Sequence, residues 1–183
     1  MLKLYGGKRS RAAIAQWYLE ELNIDYEFVV LDMENGEHRN PEFLAINPMG
    51  KVPAIDDNGF YLWESGAILL YLTDQYASDN LTPQKRAEIN QWIVFANATL
   101  GPNLIMESSR DKEMPKLLSP LNEHLKQHDY LVDDQLTAAD IAVGAYLAYL
   151  QMMLQLDYSQ YPQVSRYVQR LSQRQAFQAS IGG

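Results

Sequence analysis

Strand signals occur only ahead of one short polar stretch, SDNLTP at residues 78–83, and every apolar rhythm beyond it has a helical period. That asymmetry excludes a single sheet wound through the whole chain. It predicts an α/β half followed by an all-α half, each with its own core. In the first half, LKLY at 2–5 reads as a short strand. Residues 10–22 place Ile14, Trp17, Tyr18 and Leu22 on one helical stripe, with Ser10 where an N-cap belongs. YEFVVL at 26–31 is rich in β-branched and aromatic residues, the composition of a second strand. Two short strands at 52–56 and 60–63 flank Asp57-Asn58-Gly59, a hairpin signal because both central residues of such a turn need positive φ. A helix follows from Ser65 to Tyr76.

The second half carries Ile89, Trp92, Ile93, Ala96, Leu100 and Leu104 at helical spacing over 84–105. A weaker helix covers 113–128, an almost wholly apolar one 137–154, and a last one 161–171. The domains expected are 1–77 and 84–183. Thr137-Ala138-Ala139-Asp140 has the form of a capping box that starts the buried helix, so Asp140 is read as structural.

Composition removes several chemistries. The 183 residues contain no cysteine, hence no disulfide, no thiolate metal site and no cysteine nucleophile; sulfur chemistry would need a sulfur brought by a ligand. The net charge of −8 disfavours nonspecific nucleic-acid binding. No apolar run approaches the ~20 residues of a membrane span, and the N-terminus lacks the order of a secretory signal, so a cytoplasmic protein is expected. His124 and His128 are four apart on a helix, but no carboxylate is placed to complete a metal site with them or with His38.

Two spots in the first half suit a small peptide-like ligand. Pro53 interrupts a strand and cannot donate to a ladder. A cis Val52–Pro53 bond would leave the main chain of Val52 to pair with an extended peptide; a trans proline opening an edge strand is the plainer alternative. Glu64-Ser65 opens a helix, whose first amides and dipole favour a carboxylate, while Glu64 can accept from an ammonium group. Ordinary helix capping is the competing explanation.

The run GEHRNPEFLAINPMGKVPAIDDNGFYLWESGAILLYL, residues 36–72, closely resembles the glutathione-site signature of the glutathione transferase family, and the likeness continues through LTAADIAVGAYL in the second half. The resemblance implies a thioredoxin-like first domain with element order β-α-β-α-β-β-α, followed by an all-helical domain that receives an electrophile. The short length and missing catalytic cysteine are similar to the small cyanobacterial transferases of the chi class. By resemblance, Val52 and Pro53 would bind the cysteinyl main chain of glutathione, Glu64 and Ser65 its γ-glutamyl end, and His38 and Lys51 its glycine carboxylate. Otherwise Lys51 is a solvated loop residue and His38 a turn residue. Glutathione would be the co-substrate, with no metal, and the family habit implies a homodimer.

Lowering a thiol pKa by ~2 units from ~8.5 takes about 2.7 kcal/mol, within reach of one hydrogen bond to the charged sulfur (~1.5–3 kcal/mol) plus a positive field. The candidates lie in YGGKRSRA: the Ser10 hydroxyl, the guanidinium groups of Arg9 and Arg11, and the phenol of Tyr5. A pure N-cap role for Ser10 stays open. The electrophile is expected near Leu104 to Arg110, with Met106 as an apolar wall. Isothiocyanates and halogenated aromatics are the substrates that the resemblance implies. A non-catalytic glutathione-binding or regulatory protein, or a glutathione-dependent isomerase or dehalogenase, would use the same first site.

Overall fold

The structure is a computed structural model and describes residues 1–7, 10–77 and 81–182. The chain divides into two compact units, Met1–Asp79 with Ala179–Ile181, and Asn80–Gln178.

The first unit is built on a four-stranded sheet in the order β2-β1-β3-β4. Strand β1 (Leu2–Gly6) runs parallel to β2 (Tyr26–Val30), and the connection between them is helix α1 (Ala12–Glu21). Strands β3 (Ala54–Asp57) and β4 (Phe60–Trp63) form an antiparallel hairpin, with β3 also antiparallel to β1. A 3₁₀ turn, Glu37–Arg39, and the short helix α2 (Pro41–Leu44) lie between β2 and β3; helix α3 (Ser65–Leu72) follows β4. This is the thioredoxin-like order expected from the sequence. Leu2 and Leu4 of β1, Ile55 of β3, Ile14, Trp17 and Leu19 of α1, and Ile68, Leu69 and Leu72 of α3 are all buried. Each such large side chain contributes ~1.5–3 kcal/mol relative to exposure. The hairpin turn takes positive φ at both Asn58 (52°) and Gly59 (92°), as the Asn-Gly pair requires.

Several boundaries differ from the periodicity. The first helix starts at Ala12, not at residue 10. Arg11 holds the N-cap position without a side-chain cap, and the Ser10 hydroxyl instead accepts the amides of Gly7 (3.1 Å) and Ala12 (3.3 Å). The short serine side chain closes a local turn that competes with a helical first turn. Strand β3 begins at Ala54 because Val52–Pro53 is cis and proline has no ladder donor. Helix α3 ends as an α-helix at Leu72 and continues through Thr73–Ala77 as a wider turn. There Thr73 Oγ1 donates to the carbonyl of Leu69 (2.8 Å), and Tyr71 and Tyr76 both donate to Asp57 Oδ2 (2.7 and 2.6 Å).

The second unit is helical throughout its described residues apart from one isolated bridge between Val132 and Gln135. Helix α4 (Pro83–Val94) is capped by Thr82, whose hydroxyl accepts from the Lys85 amide. It runs through wider turns over Phe95–Leu100 into α5 (Gly101–Ile105). Gly101 is needed there: a Cβ on it would sit 2.4 Å from the ring of Tyr146, whose hydroxyl donates to Asn97 Oδ1 (3.2 Å). Helix α6 spans Glu107–His124, six residues earlier at its start than the apolar pattern suggests. Helix α7 (Ala138–Leu154) is the buried centre of this unit, and α8 (Pro162–Ser172) and α9 (Gln175–Gln178) complete it.

The capping box at the start of α7 is formed. Asp140 is 0% exposed and accepts four hydrogen bonds: from the amides of Thr137 and Leu131 (both 2.9 Å), the Thr137 hydroxyl (3.2 Å) and the Tyr167 hydroxyl (2.9 Å). Burial pushes its carboxyl up to about 6 despite these donors. His124 and His128 do share a face, their rings stacked 4.8 Å apart, yet among the described residues no group of three His, Asp or Glu side chains converges on a metal position.

Candidate functional site

The carboxyl ends of β1 and β2 lie side by side, with Gly6 opposite Val30 in register, and just past the exit of β1 the Gly7 amide donates to Ser10 Oγ. Accepting two amide hydrogens leaves the Ser10 hydroxyl proton unspent among the described residues. A hydroxyl whose oxygen accepts is polarised toward donating. Its oxygen is thus anchored by two backbone amides.

The second piece is the chain before β3. Asn47 is 2% exposed and braces this segment twice, its amide nitrogen donating to the carbonyl of Lys51 (2.6 Å) and its oxygen accepting the amide of Met49 (3.0 Å). Gly50 closes the turn at φ 59°, and a Cβ there would lie 3.0 Å from the carbonyl oxygen of His38. This close approach draws the His38 turn against the segment that carries Lys51. Val52 follows, outside the ladder. Its amide and carbonyl have no backbone partner among the described residues, and its bond to the buried Pro53 is cis.

The third piece is the junction of β4 and α3. Glu64 occupies the N-cap position with φ 73° and ψ 120°, a left-handed conformation that costs a non-glycine residue of order 1–3 kcal/mol. Its side chain makes no capping hydrogen bond to the helix. The exposed carboxylate has no partner among the described residues, and Ser65 beside it is 2% exposed. The first amides of α3 supply donors and a positive dipole end for an anion.

Six of the residues singled out from the sequence line one groove: Arg11, Lys51, Val52, Pro53, Glu64 and Ser65. Asn47, Met49 and Trp63 complete it. The groove thus holds two exposed cations, one exposed carboxylate, an unpaired stretch of main chain and a helix N-terminus. That set matches a zwitterionic, extended peptide better than any single ion. Ser10 and His38 stand outside the lining, and the His38 Nδ1 is buried without a partner among the described residues. Arg9 lies outside the described residues.

Tyr5 is placed differently. It pairs with Val29 and Ala54 within the sheet and its ring packs 5.7 Å from that of Phe43. Burial, followed by the charges of Asp56, Tyr61 and Glu27, pushes its phenol above the ordinary value. The two carboxylates among these neighbours, Asp56 and Glu27, oppose a thiolate rather than stabilise it.

In the helical unit, the segment expected to meet an electrophile separates into three roles. Leu104 is fully buried core. Arg110 is spent on the end of α5, its Nε donating to the carbonyl of Leu104 (2.7 Å) and its Nη2 to that of Ile105 (2.8 Å). Only Ile105 and Met106, 54% and 59% exposed, offer apolar surface. Asn47 was not singled out from the sequence, although Asn-Pro before a glycine is a turn signal that could have found it.

Comparison with known proteins identifies the family of this fold. Residues 1–74 match the family described as glutathione S-transferase, N-terminal domain, and residues 105–175 match its C-terminal domain. A structure described as a possible glutathione S-transferase from Rhodopseudomonas palustris is 34% identical, covers 96% of this chain and 95% of its own, and superposes with a TM-score of 0.81. Glutathione Transferase E6 from Drosophila melanogaster is 28% identical over 100% of this chain and 91% of its own, with a TM-score of 0.84. The transferase URE2P6 from Phanerochaete chrysosporium, solved in complex with oxidized glutathione, is 27% identical over 97% of this chain and 93% of its own, with a TM-score of 0.85. Two family models that together span most of the chain and a relative above 30% identity along nearly the whole length of both chains lead to one conclusion: this chain belongs to the glutathione S-transferase family.

Proposed function

We propose that the chain binds glutathione in the groove of the first unit and joins its thiolate to small electrophiles, isothiocyanates and halogenated aromatics among them. In this reading the main chain of Val52 pairs with the cysteinyl residue of the tripeptide. Glu64 and Ser65 hold the γ-glutamyl end, and Lys51 and His38 serve the glycine carboxylate. Ser10 donates its hydrogen to the sulfur, and the Arg11 guanidinium adds a positive field. Arg9 would add to the same field. Tyr5 is the least favoured of the candidate activators because of its acidic surroundings. On a halogenated ring a carbon–sulfur bond forms and halide leaves. On an isothiocyanate sulfur adds to the central carbon, and the displaced electron pair goes to nitrogen, which takes a proton from water. Exposed Ile105 and Met106 give the helical unit an apolar contact for the electrophile. Detoxification in the cytoplasm by a homodimer, and a place among the chi-class enzymes, complete the proposal.

The observation that carries it is the groove in which Val52 main chain, the Glu64 carboxylate and the start of α3 stand together. Calorimetry with glutathione, then turnover of 1-chloro-2,4-dinitrobenzene and phenethyl isothiocyanate by the purified protein, tests it. Heat from glutathione together with conjugate formation is expected. Binding without turnover would favour the non-catalytic alternative, and neither would defeat the proposal.

A further inference from the structure

The chain has no cysteine, so its seven methionine thioethers are its only sulfur, the element on which a peroxide leaves a reversible mark. Among the described residues one methionine, Met49, lines the groove of the first unit. It is 57% exposed and sits in a turn held at three points. Asn47 Oδ1 accepts the amide of Met49 itself (3.0 Å), the Asn47 carbonyl accepts that of Gly50 (2.9 Å), and Asn47 Nδ2 donates to the carbonyl of Lys51 (2.6 Å). Asn47 is buried and Gly50 takes φ 59°. The thioether therefore rides on a pinned backbone, open to solvent.

Placement separates Met49 from the other exposed methionines. Met1, Met106, Met152 and Met153 are at least as exposed, yet none of them lines the groove. Arg11 and Lys51, both exposed, line it together with Met49. Oxidation replaces a weak acceptor with a polar sulfoxide, whose oxygen carries partial negative charge. Cationic donors bond such an oxygen strongly. An oxygen on Met49 would compete for the cations, Lys51 first, that the glutathione reading gives to the ligand's carboxylate.

We propose that Met49 is an oxidative modification site through which a peroxide weakens the groove's hold on glutathione. The inference rests on the glutathione reading above and adds a regulation of that site. The sulfur lone pair forms a bond to one peroxide oxygen, and the O–O bond breaks. The proton on the transferred oxygen goes to the leaving one. Met49 is oxidised to its sulfoxide, and hydrogen peroxide is reduced to water or an organic hydroperoxide to its alcohol. A methionine sulfoxide reductase restores the thioether.

The purified protein is treated with hydrogen peroxide, the peroxide is removed, and peptide mass mapping reads one added oxygen at each methionine. Calorimetry then gives the Kd for glutathione after treatment relative to before, in the wild type and in Met49→Leu, which keeps the other six methionines as internal controls. The wild type should gain the oxygen at Met49 and bind at least fivefold more weakly, with recovery after sulfoxide reductase. Met49→Leu should change less than twofold on treatment. The untreated Met49→Gln protein, polar at matched length, should bind at least threefold more weakly than Met49→Leu. A Met49 left unoxidised while Met153 is oxidised overturns the proposal. So does an oxidised Met49 with a Kd within twofold, or an equal loss in Met49→Leu. Mapping and reductase recovery on the wild type decide the matter if a variant fails to fold. No heat from glutathione with the untreated wild type overturns the site itself and this inference with it.

Discussion

Two helices of this protein begin in opposite ways. Helix α7 starts in the interior with its buried carboxylate fully engaged: Thr137 caps, Asp140 reciprocates, and Leu131 and Tyr167 add two further donors to the same carboxylate. Helix α3 starts at the surface behind a strained Glu64 that caps nothing, beside a stretch of main chain at Val52 that the sheet does not use. Both starts carry an acidic residue and a hydroxyl. The difference lies in the carboxylates: among the described residues Asp140 accepts four hydrogen bonds and Glu64 none. A consumed carboxylate serves the fold; in the proposed reading an unconsumed one serves the ligand. That distinction separates Asp140 from Glu64 more firmly than residue type does.

The largest expected break in the comparison is Asp140→Ala. It strands four donors, two of them deep in the helical unit, at ~1–3 kcal/mol for each left unsatisfied, partly offset by the charge removed. A loss of about 4 kcal/mol in urea unfolding is expected. A loss below about 1 kcal/mol would mean that water or a relaxed loop replaces the carboxylate.

Acidity sharpens the same contrast. With its carboxyl raised by burial to about 6 in the folded state, against ~3.9 when unfolded, Asp140 holds its proton more firmly in the native protein. Between pH 4 and 6 the native state binds more protons than the unfolded one, so this residue's contribution to stability falls as pH rises through that window. The fall amounts to about 3 kcal/mol and is flat on either side. Asp140→Asn should be destabilised throughout but lack this slope, which unfolding at pH 4, 5, 6 and 7 would reveal. An unchanged slope would assign the effect to other groups.

At the unspent site, the Ser10 hydroxyl is the first test. Ser10→Ala removes the proposed donor to sulfur and should lower kcat/KM for chlorodinitrobenzene about 30-fold, roughly 2 kcal/mol, with the pKa of bound glutathione thiol rising by more than one unit. The same substitution leaves the Gly7 and Ala12 amides to water, so the thiol titration, which a purely structural role would not move, is the deciding measurement. Activity within tenfold of wild type and an unmoved thiol pKa would pass the role to the arginines.

How much of this was legible in sequence follows from the range of the forces involved. The Asn58-Gly59 turn and the cap at Thr137–Asp140 are local, and each has a residue type that strongly favours its backbone. The cis bond at Pro53 is permitted but not dictated by its proline, and the roles given to Val52, Glu64 and Ser65 came from the family resemblance. What stayed hidden depends on contacts far along the chain. The widened turns over Phe95–Leu100 sit beside Gly101, packed beneath Tyr146, 45 residues later in sequence. The pull of Asp57 on Tyr71 and Tyr76 holds that carboxyl below its usual range: burial alone would raise it, but the bonds from Tyr76, Tyr71 and Asn58 outweigh burial. The start of α1 was misplaced because a serine can close a turn as readily as it can cap a helix, and periodicity does not distinguish the two. Nothing in the pattern reveals that Glu64 is forced to positive φ.

That forced backbone gives the finest test of the contrast between the two helix starts. Glycine adopts φ near 73° without penalty, so Glu64→Gly should relieve the strain and raise stability by about 1 kcal/mol. It also removes the carboxylate offered to the ligand's ammonium group, and glutathione affinity should fall at least tenfold. Stability and binding then move in opposite directions at one residue, whereas at Asp140 no substitution should improve stability at pH 7 at the expense of binding. Urea unfolding and calorimetry on the same preparation read both quantities. A Glu64→Gly protein that is less stable and binds glutathione normally would show that the carboxylate serves the fold, and the division between spent and unspent helix starts would fail at its most exposed point.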